Sequence, residues 1–299
     1  REAMAEMREV LGESDATLRS AGEAAGSAAG RQKWWKARER GDERMGKAVE
    51  SFGAALTAAA DGAPSGAAGD EAGHTVLVLS PQLQGFPWES LPLLRGRAVS
   101  RLPTLALPCV AAAAGQADVH RGYYLVNPTG DLTATQQTFA PLVVDRRGWS
   151  GVVGSGPSVG ECLKGLDRSS VFLFCGHGAG SQFLPGKLLR RRTETPGSLL
   201  MGCSSGRLEE NTVSGAWGMP LNYLVGGSPC VVANLWDVSD KDIDRFATDT
   251  LRRFLGDDET DPPRELTSAT ALARSVCRLP FLVGAAPVCY GVPVVPVAQ

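Results

Sequence analysis

The chain has 299 residues, of which 43% are hydrophobic and 21% are charged, with a formal net charge of −2 and a sequence pI of about 6.0. This length and apolar content suffice for a sizeable core, arranged as one large domain or two smaller ones. A net charge so near zero gives no bulk attraction to nucleic acid or anionic lipid, and no apolar run approaches the roughly 20 residues of a membrane span. We therefore expect a soluble globular protein with no direct nucleic-acid or membrane partner.

The number and spacing of the cysteines indicate the redox compartment and the absence of a structural metal site. The seven cysteines are odd in number and show no C-x-x-C spacing, which argues against a disulfide framework and against a structural zinc site. A reducing compartment is the natural setting, and no metal or cofactor is expected. The chain begins at Arg1 rather than at a methionine, so we expect it to be a fragment of a longer protein.

Residues 1–73 predict helices joined by linkers. Apolar residues recur at helical spacing in two stretches, the second running from Met45 to Leu56. The segment 21–30 is rich in Gly, Ala and Ser and predicts a linker, and so does the segment 61–73.

Residues 1–121 together predict a small region of helices and strands. Trp34 and Trp35 open the second predicted helix, where we expect them to anchor it on the core. The apolar run 75–80 predicts a buried strand. Residues 1–121 are therefore predicted to form a helical and strand-containing region that supports the protein or binds its substrate.

From Gly122 onward, strands and helices alternate along the chain. Pro141 predicts the end of a helix that begins at Asp131, and Ser239 predicts the N-cap of a later helix. Such alternation is typical of a three-layer α/β/α domain with a mostly parallel six-stranded sheet, which we assign to residues 122–299. The predicted strands begin at Tyr123, Gly148, Val171, Ser198, Cys230 and Val288.

Two of the predicted strands end in reactive side chains. Val171–Cys175 leads into His177, and the strand that ends near Met201 leads into Cys203. Ligands of open α/β sheets bind beyond the carboxyl ends of strands, so this arrangement places an imidazole beside a thiol. The pair is typical of a cysteine nucleophile with a histidine base, and the backbone amides of Gly178 and Cys203 are candidates for an oxyanion hole. No third catalytic residue is evident.

Two other sites compete with this interpretation. Residues 156–160 match the G-x-S-x-G pattern of serine hydrolases, with Ser158 in the nucleophile position, although the apolar run before it is short. A metal held by Cys175, His177 and Cys203 is the second alternative, and it lacks a fourth ligand.

Several segments together match a known family of proteins. They are 124–128 with Asp131 and Leu132, 176–180, 200–206, 227–229, 232–246, 284–288 and 290–291. In these segments the sequence resembles the separase family, cysteine endopeptidases of the caspase-like clan. The resemblance runs from about Thr75 to the end of the chain, and the helical part around Trp34 resembles the family only weakly.

The resemblance implies a fold, a mechanism and partners. It implies a caspase-like domain in which Cys203 is the nucleophile, His177 is the general base, and the amides of Gly178 and Cys203 bind the oxyanion. It also implies cleavage after arginine in the kleisin subunit of cohesin, which triggers sister-chromatid separation. A securin-type pseudosubstrate inhibitor and a location in cytoplasm and nucleus follow from the same resemblance.

Four aspartates after the fifth predicted strand give a physical reason for a preference for arginine. Carboxylates bind a guanidinium in a bidentate manner, and Asp237, Asp240, Asp242 and Asp244 cluster here with Trp236 as a candidate pocket wall. The same acids also fit a simpler role, because they complement the dipole at a helix N-terminus. The sequence alone does not identify which of Asp237, Asp240 and Asp244 binds the arginine.

Two further functions stay open at this point. Other caspase-like families also place His and Cys at strand ends, so a different arginine-specific protease is one alternative. An inactive α/β module that binds basic peptides through the aspartates is the other.

Overall fold

A computed structural model describes residues 2–60, 73–103, 115–211, 215–257 and 262–297. The predicted linker 61–73 lies outside these residues except for Gly73. Within the described ranges, no helix is long and apolar enough to cross a bilayer.

The described residues form twelve strands and nine α-helices. The strands are β1 (Thr75–Val78), β2 (Val99–Leu102), β3 (Gly115–Asp118), β4 (Gly122–Val126), β5 (Trp149–Val153), β6 (Val171–Cys175), β7 (Gly197–Leu200), β8 (Glu209–Asn211), β9 (Gly215–Trp217), β10 (Cys230–Asn234), β11 (Pro287–Gly291) and β12 (Val294–Val297). The helices are α1 (Glu2–Arg19), α2 (Ala21–Ala25), α3 (Ala28–Ala60), α4 (Thr133–Val143), α5 (Val159–Asp167), α6 (Gly186–Leu189), α7 (Met219–Val225), α8 (Asp240–Leu255) and α9 (Leu266–Ala273).

Eight of these strands form one sheet in the order β1-β2-β11-β10-β7-β6-β4-β5. Every neighbouring pair is parallel except β10 and β11. The predicted α/β class is confirmed, but the sheet has eight strands rather than six, because β1 and β2 from upstream of residue 122 join it. The division of the chain at 121/122 stays a prediction, and the sheet itself runs across that position.

Helices cover both faces of the sheet. On one face Phe172 of β6 stacks on Tyr223 of α7. On the other, Cys175 lines a cavity together with residues of α4 and α8. Because side chains alternate along a strand, positions 172 and 175 lie on opposite faces. The three-layer arrangement follows from these contacts.

Three local predictions are wrong. Segment 21–30 is not a linker, since it holds α2 and the start of α3, as its many alanines permit. The helix that begins at Thr133 continues through Pro141 to Val143. The strand predicted from Val288 is two strands, with β11 in the main sheet and β12 paired with β3.

The amino-terminal helices contact the carboxyl-terminal part of the chain. Helix α1 packs along α3, and the Asp42 carboxylate of α3 accepts hydrogen bonds from the backbone N–H groups of Phe281 and Leu282 at 2.9 and 2.7 Å. This contact fixes the helices against the segment that precedes β11.

Candidate active site

Four adjacent strands of the sheet end at one edge, each followed by a polar or reactive side chain. β10, β7, β6 and β4 are parallel neighbours, and the side chains after them are Asp237, Cys203, His177 and Asp131. Because parallel strands place their carboxyl ends together, these residues converge. His177 and Cys203 line the same two cavities, so the predicted imidazole and thiol share one site.

The loops after β6 and β7 are in backbone contact. Gly202 lies so close to Gly176 and Gly178 that a Cβ on Gly202 would overlap their carbonyl oxygens. Asn234 Nδ2 donates to the Gly202 carbonyl at 3.0 Å, which ties the loop after β7 to the end of β10. A residue without a side chain at position 202 is therefore required for the two loops to approach.

His177 contacts a carboxylate that the sequence did not assign to the site. Its Nε2 lies 2.7 Å from Oδ2 of Asp131. Asp131 also accepts a hydrogen bond from Thr129, and this bond and the contact with His177 lower the pKa of its carboxyl. Because Nε2 is engaged, Nδ1 is the ring nitrogen left to exchange a proton. The position of Asp131, just beyond a strand next to β6, is the signal that could have identified it.

The Cys203 thiol is half-buried and donates a hydrogen bond to the Val238 carbonyl at 3.4 Å. Burial raises the pKa of the thiol, and the carboxylates of Asp237, Asp240 and Asp15 raise it further. These surroundings favour the thiol over the thiolate, and a cation that offsets the carboxylates would favour the thiolate.

Two backbone amides of the site are available to a ligand. The N–H groups of Gly178 and Cys203 donate to no acceptor among the described residues. Gly178 has a φ of +61° and open space where a Cβ would lie. Free amides beside a nucleophile have the chemistry of an oxyanion hole.

Two of the candidate aspartates line a narrow cavity that His177 and Cys203 also line. Asp244 accepts a hydrogen bond from Thr135 Oγ1 at 2.9 Å, and burial raises its pKa to about 7. Burial also raises the pKa of Asp240. The cavity has a volume of about 20 Å³, room for one water molecule, so an arginine side chain enters only if its walls move apart.

The other two aspartates of the cluster are held by their neighbours. Asp237 accepts a hydrogen bond from Ser204 Oγ at 2.6 Å and lines the larger cavity described below. Asp242 accepts hydrogen bonds from the backbone N–H groups of Arg278 and Leu279, both at 2.9 Å. Asp242 therefore joins α8 to the segment before β11, which is a structural role.

Trp236 lines neither this narrow cavity nor the larger cavity described below. Its ring is 6% exposed, and its indole N–H donates to the Leu282 carbonyl at 2.9 Å. Trp236 therefore packs in the core instead of forming a pocket wall. Ser239 does occupy the N-cap position of α8, but its side chain makes no capping bond.

A second cavity of about 940 Å³ lies between the catalytic loops and the amino-terminal helices. Trp34 and Trp35 are half-buried and line it, although the sequence suggested only a packing role. Asp15 of α1 also lines it, and burial, followed by the charge of Asp237, raises the pKa of its carboxyl. No motif marks Asp15, because it meets the site through a contact between distant parts of the chain.

The two competing sites have little structural support. Ser158 caps α5, accepting from the Glu161 N–H at 3.3 Å and donating to Glu161 Oε2 at 2.7 Å. Cys175 is 1% exposed. Across the described ranges, no group of three or more His, Cys, Asp or Glu residues is placed to hold a metal.

The fold and the site define a caspase-like α/β domain with a cysteine and a histidine at neighbouring strand ends. A family model described as "Separin, protease domain" matches residues 54–243. The chain therefore belongs to the separin protease-domain family, which confirms the resemblance found in the sequence.

Individual relatives are consistent with this assignment. The chain is 42% identical to the separin of Emericella nidulans over 236 residues, which cover 74% of this chain and 11% of that protein. The structure of the Saccharomyces cerevisiae separase–securin complex matches with a TM-score of 0.84 at 22% identity, over 99% of this chain and 28% of that chain. The Arg-specific cysteine proteinase gingipain R matches with a TM-score of 0.57 at 9% identity, over 83% of this chain and 67% of that chain. The two structural matches show the fold, and the chain spans a small part of the curated relative.

Proposed function

We propose that this domain is a cysteine endopeptidase that cleaves after arginine. The observation that carries the proposal is the meeting of a thiol, an imidazole, two free amides and the carboxylates of Asp240 and Asp244 at one edge of the sheet. Cys203 is the nucleophile, His177 the general base, and the amides of Gly178 and Cys203 bind the oxyanion.

The reaction proceeds in two steps. Cys203 Sγ attacks the carbonyl carbon of the arginine residue while its proton passes to His177. The two amides bind the resulting oxyanion, and collapse of the intermediate expels the amine, which takes the proton from His177. Water, deprotonated by His177, then hydrolyses the acyl-enzyme and regenerates the thiol.

Asp240 and Asp244 are the proposed ligands of the substrate guanidinium. Both line the narrow cavity shared with the thiol and the imidazole. A guanidinium there also offsets the carboxylates that raise the pKa of Cys203, so a bound arginine favours the reactive thiolate.

For the whole protein, family membership supports a role in cell division. We propose that it cleaves the kleisin subunit of cohesin and so triggers sister-chromatid separation, in the cytoplasm and nucleus. The yeast separase–securin complex supports a securin-type pseudosubstrate inhibitor as a partner.

A kleisin-derived peptide with one arginine tests the proposal. We expect wild-type protein to cut after the arginine, and the same peptide with lysine to be cut poorly, because a point charge does not replace the planar fork of a guanidinium. Cys203→Ala should be inactive, and Ser158→Ala, the matched control, should keep full activity.

An arginine-peptide acyloxymethyl ketone separates the alternatives. An adduct on Cys203 supports the protease. Folded protein that binds the peptide without adduct or cleavage is instead a binding module. Cleavage of other arginine peptides but not of kleisin sequences indicates a different caspase-like protease.

A further inference from the structure

A buried asparagine with an unusual backbone conformation lies at the catalytic edge of the sheet. Asn127 follows β4 directly and is 1% exposed. In the described part of the chain, only Asn127 and Ser204 have a positive φ without being glycine, at +50° and +51°. Such conformations persist only where the surrounding structure holds them, and they are frequent at functional sites. Ser204 is next to the nucleophile, and Asn127 begins the loop that leads to Asp131.

The side chain of Asn127 closes this loop. Its Oδ1 accepts a hydrogen bond from the backbone N–H of Leu132 at 2.8 Å, and its Nδ2 donates to Gln136 Oε1 at 2.9 Å. The Asn127 carbonyl accepts from the N–H of Gly130 at 3.0 Å. Asn127 is therefore bonded to the residues on both sides of Asp131 and to the first turn of α4.

Asn127 is also joined to the strand that leads into the histidine. Its N–H donates to the Cys175 carbonyl at 2.7 Å, two residues before His177. The next residue, Pro128, lies against Gly176, because a Cβ on Gly176 would be 3.1 Å from Pro128 Cδ. Asn127 thus connects the loop of the carboxylate with the loop of the imidazole.

The contact between Asp131 and His177 depends on this loop for its geometry. The two side chains are 60% and 55% exposed, so packing does not hold the carboxylate in place. Thr129 of the same loop donates to Oδ1 of Asp131, while Oδ2 lies 2.7 Å from His177 Nε2. Ordering an exposed side chain costs conformational entropy. A loop that is already closed lowers this cost.

We propose that Asn127 is a positioning residue of the reaction, which holds Asp131 where that carboxylate orients His177. The proposal rests on the function proposed above and adds a residue to its machinery. Asn127 lines neither cavity of the active site, so it acts through Asp131 and does not touch the substrate. Supporting residues of this kind keep reacting groups within about 0.5 Å of the productive geometry.

Asn127→Gly is the informative variant, because glycine adopts a positive φ without strain and only the amide is lost. On the single-arginine peptide we expect kcat to fall roughly fivefold, since the carboxylate is displaced and not removed, with KM nearly unchanged. Asn127→Asp should recover most of the activity. Aspartate also tolerates a positive φ and offers an oxygen to the Leu132 N–H, and the Gln136 amide can turn to donate to it.

Coupling to Asp131 distinguishes positioning from a general loosening of the fold. In Asp131→Asn protein, the addition of Asn127→Gly should lower kcat by less than about twofold, because the group through which Asn127 acts is already gone. The pH profile of kcat/KM should change in the same direction in Asn127→Gly as in Asp131→Asn.

Asn222→Gly in α7 is the matched control. Asn222 is also buried, at 6% exposed. Its Nδ2 donates to the Gly218 carbonyl at 3.1 Å, and its Oδ1 accepts from Arg190 at 2.8 Å. It lines neither cavity of the active site. The substitution therefore removes comparable hydrogen bonds and should leave kcat and the pH profile unchanged.

Two kinetic results would overturn the proposal. If the losses in Asn127→Gly and Asp131→Asn multiply in the double variant, or if Asn222→Gly shows the same loss, the effect is one of general stability. If Asn127→Gly raises KM and leaves kcat unchanged, Asn127 instead serves the arginine cavity through Leu132, which lines it.

Nitrogen NMR of histidine-labelled protein tests the proposal without catalysis. The sequence has three histidines, and His177→Gln identifies the signals of His177. We expect the imidazole nitrogen shifts of His177 to move in the same direction in Asn127→Gly as in Asp131→Asn, and to stay in place in Asn222→Gly. If Asn127→Gly does not fold, Gln136→Ala, which removes only the partner of Nδ2, should show the same displacement at smaller size.

The two proposals fail in different ways. If wild-type protein cleaves no peptide, the proposed protease function fails, while a displacement of the His177 signals in Asn127→Gly still supports the link through Asp131. Folded Asn127→Gly protein with the His177 signals of wild type would overturn the positioning role, whether or not the protein is a protease.

Discussion

A carboxylate contact leaves one ring nitrogen of His177 free for proton exchange. Asp131 engages Nε2 of His177 at 2.7 Å, which leaves Nδ1 for proton exchange. In a buried triad, replacing the orienting aspartate by asparagine lowers kcat by about 10⁴. The Asp131 side chain is 60% exposed, so water can take over part of its role.

We therefore expect Asp131→Asn to lower kcat roughly tenfold, far less than in a buried triad, with KM nearly unchanged. Asp131→Glu should recover part of the activity, because the carboxylate can again reach the imidazole. Kinetics of the single-arginine peptide across pH measure this effect. Unchanged kcat and pH profile in Asp131→Asn would show that the contact with His177 does not serve catalysis.

Asp244 is an acid whose ionisation should respond to substrate. Its pKa is raised to about 7 by burial, and a guanidinium beside it favours the carboxylate and so lowers that pKa. Arginine binding should then release up to one proton below about pH 7, and affinity should rise with pH up to about 7 and level off above it.

Calorimetry of Cys203→Ala with an arginine peptide, in buffers of different ionisation enthalpy, counts this proton. Asp244→Asn should bind the peptide without releasing it. Equal proton release by both proteins would exclude Asp244 as the ligand, and Asp240→Asn would be the next variant to measure.

At the scale of whole elements, the loops after β6 and β7 form the site only because position 202 has no side chain. A Cβ there would overlap the carbonyl oxygens of Gly176 and Gly178. These oxygens belong to backbone, which cannot rotate out of the way as a side chain does. The close approach of the two loops therefore depends on glycine at position 202.

Gly202→Ala should separate the two loops. We expect kcat/KM to fall roughly 100-fold, the usual cost of misplacing reacting groups by about 1 Å, and the free energy of unfolding to fall by about 1–3 kcal/mol. Gly160→Ala in α5 is the control, because a Cβ there meets nothing within 4 Å. Full activity in Gly202→Ala would mean that loop contact is dispensable.

Elements with strong local patterns were the ones that the sequence could predict. Strand β6 is a continuous apolar run, β10 is apolar up to Asn234, and each is fully buried. The strand predicted over 75–80 exists as β1, but it lies at the sheet edge and alternates half-buried and exposed residues instead of being buried. Nothing in its sequence indicates that it joins the main sheet through β2. Segment 21–30 was misassigned because glycine and alanine occur in linkers and in helices alike, and packing against α3 decides the outcome.

At the scale of the whole molecule, the amino-terminal helices are part of the active-site cavity. Asp15, Trp34 and Trp35 line it together with His177 and Cys203, although the family match begins only at residue 54. Local motifs could identify the histidine and the cysteine. The helical wall could not be predicted, because it meets the site through contacts between residues more than 100 positions apart.

Asp42 of α3 joins these helices to the segment that precedes β11. Burial raises the pKa of its carboxyl to about 6. The unfolded chain has a pKa of about 3.9 for this group, so the folded state binds its proton more tightly. The free energy of unfolding should therefore fall as pH rises from about 4 to about 6, and be independent of this group outside that window.

Asp42→Asn keeps an oxygen that can accept from Phe281 and Leu282 but removes the titration. We expect its stability, relative to wild type, to increase between about pH 4 and 6 and then stay constant. Urea unfolding at several pH values between 4 and 8 measures the difference, and Asp145→Asn, at an exposed position, controls for the change in net charge. A difference between Asp42→Asn and wild type that does not vary with pH would show that Asp42 titrates alike in the folded and unfolded chains.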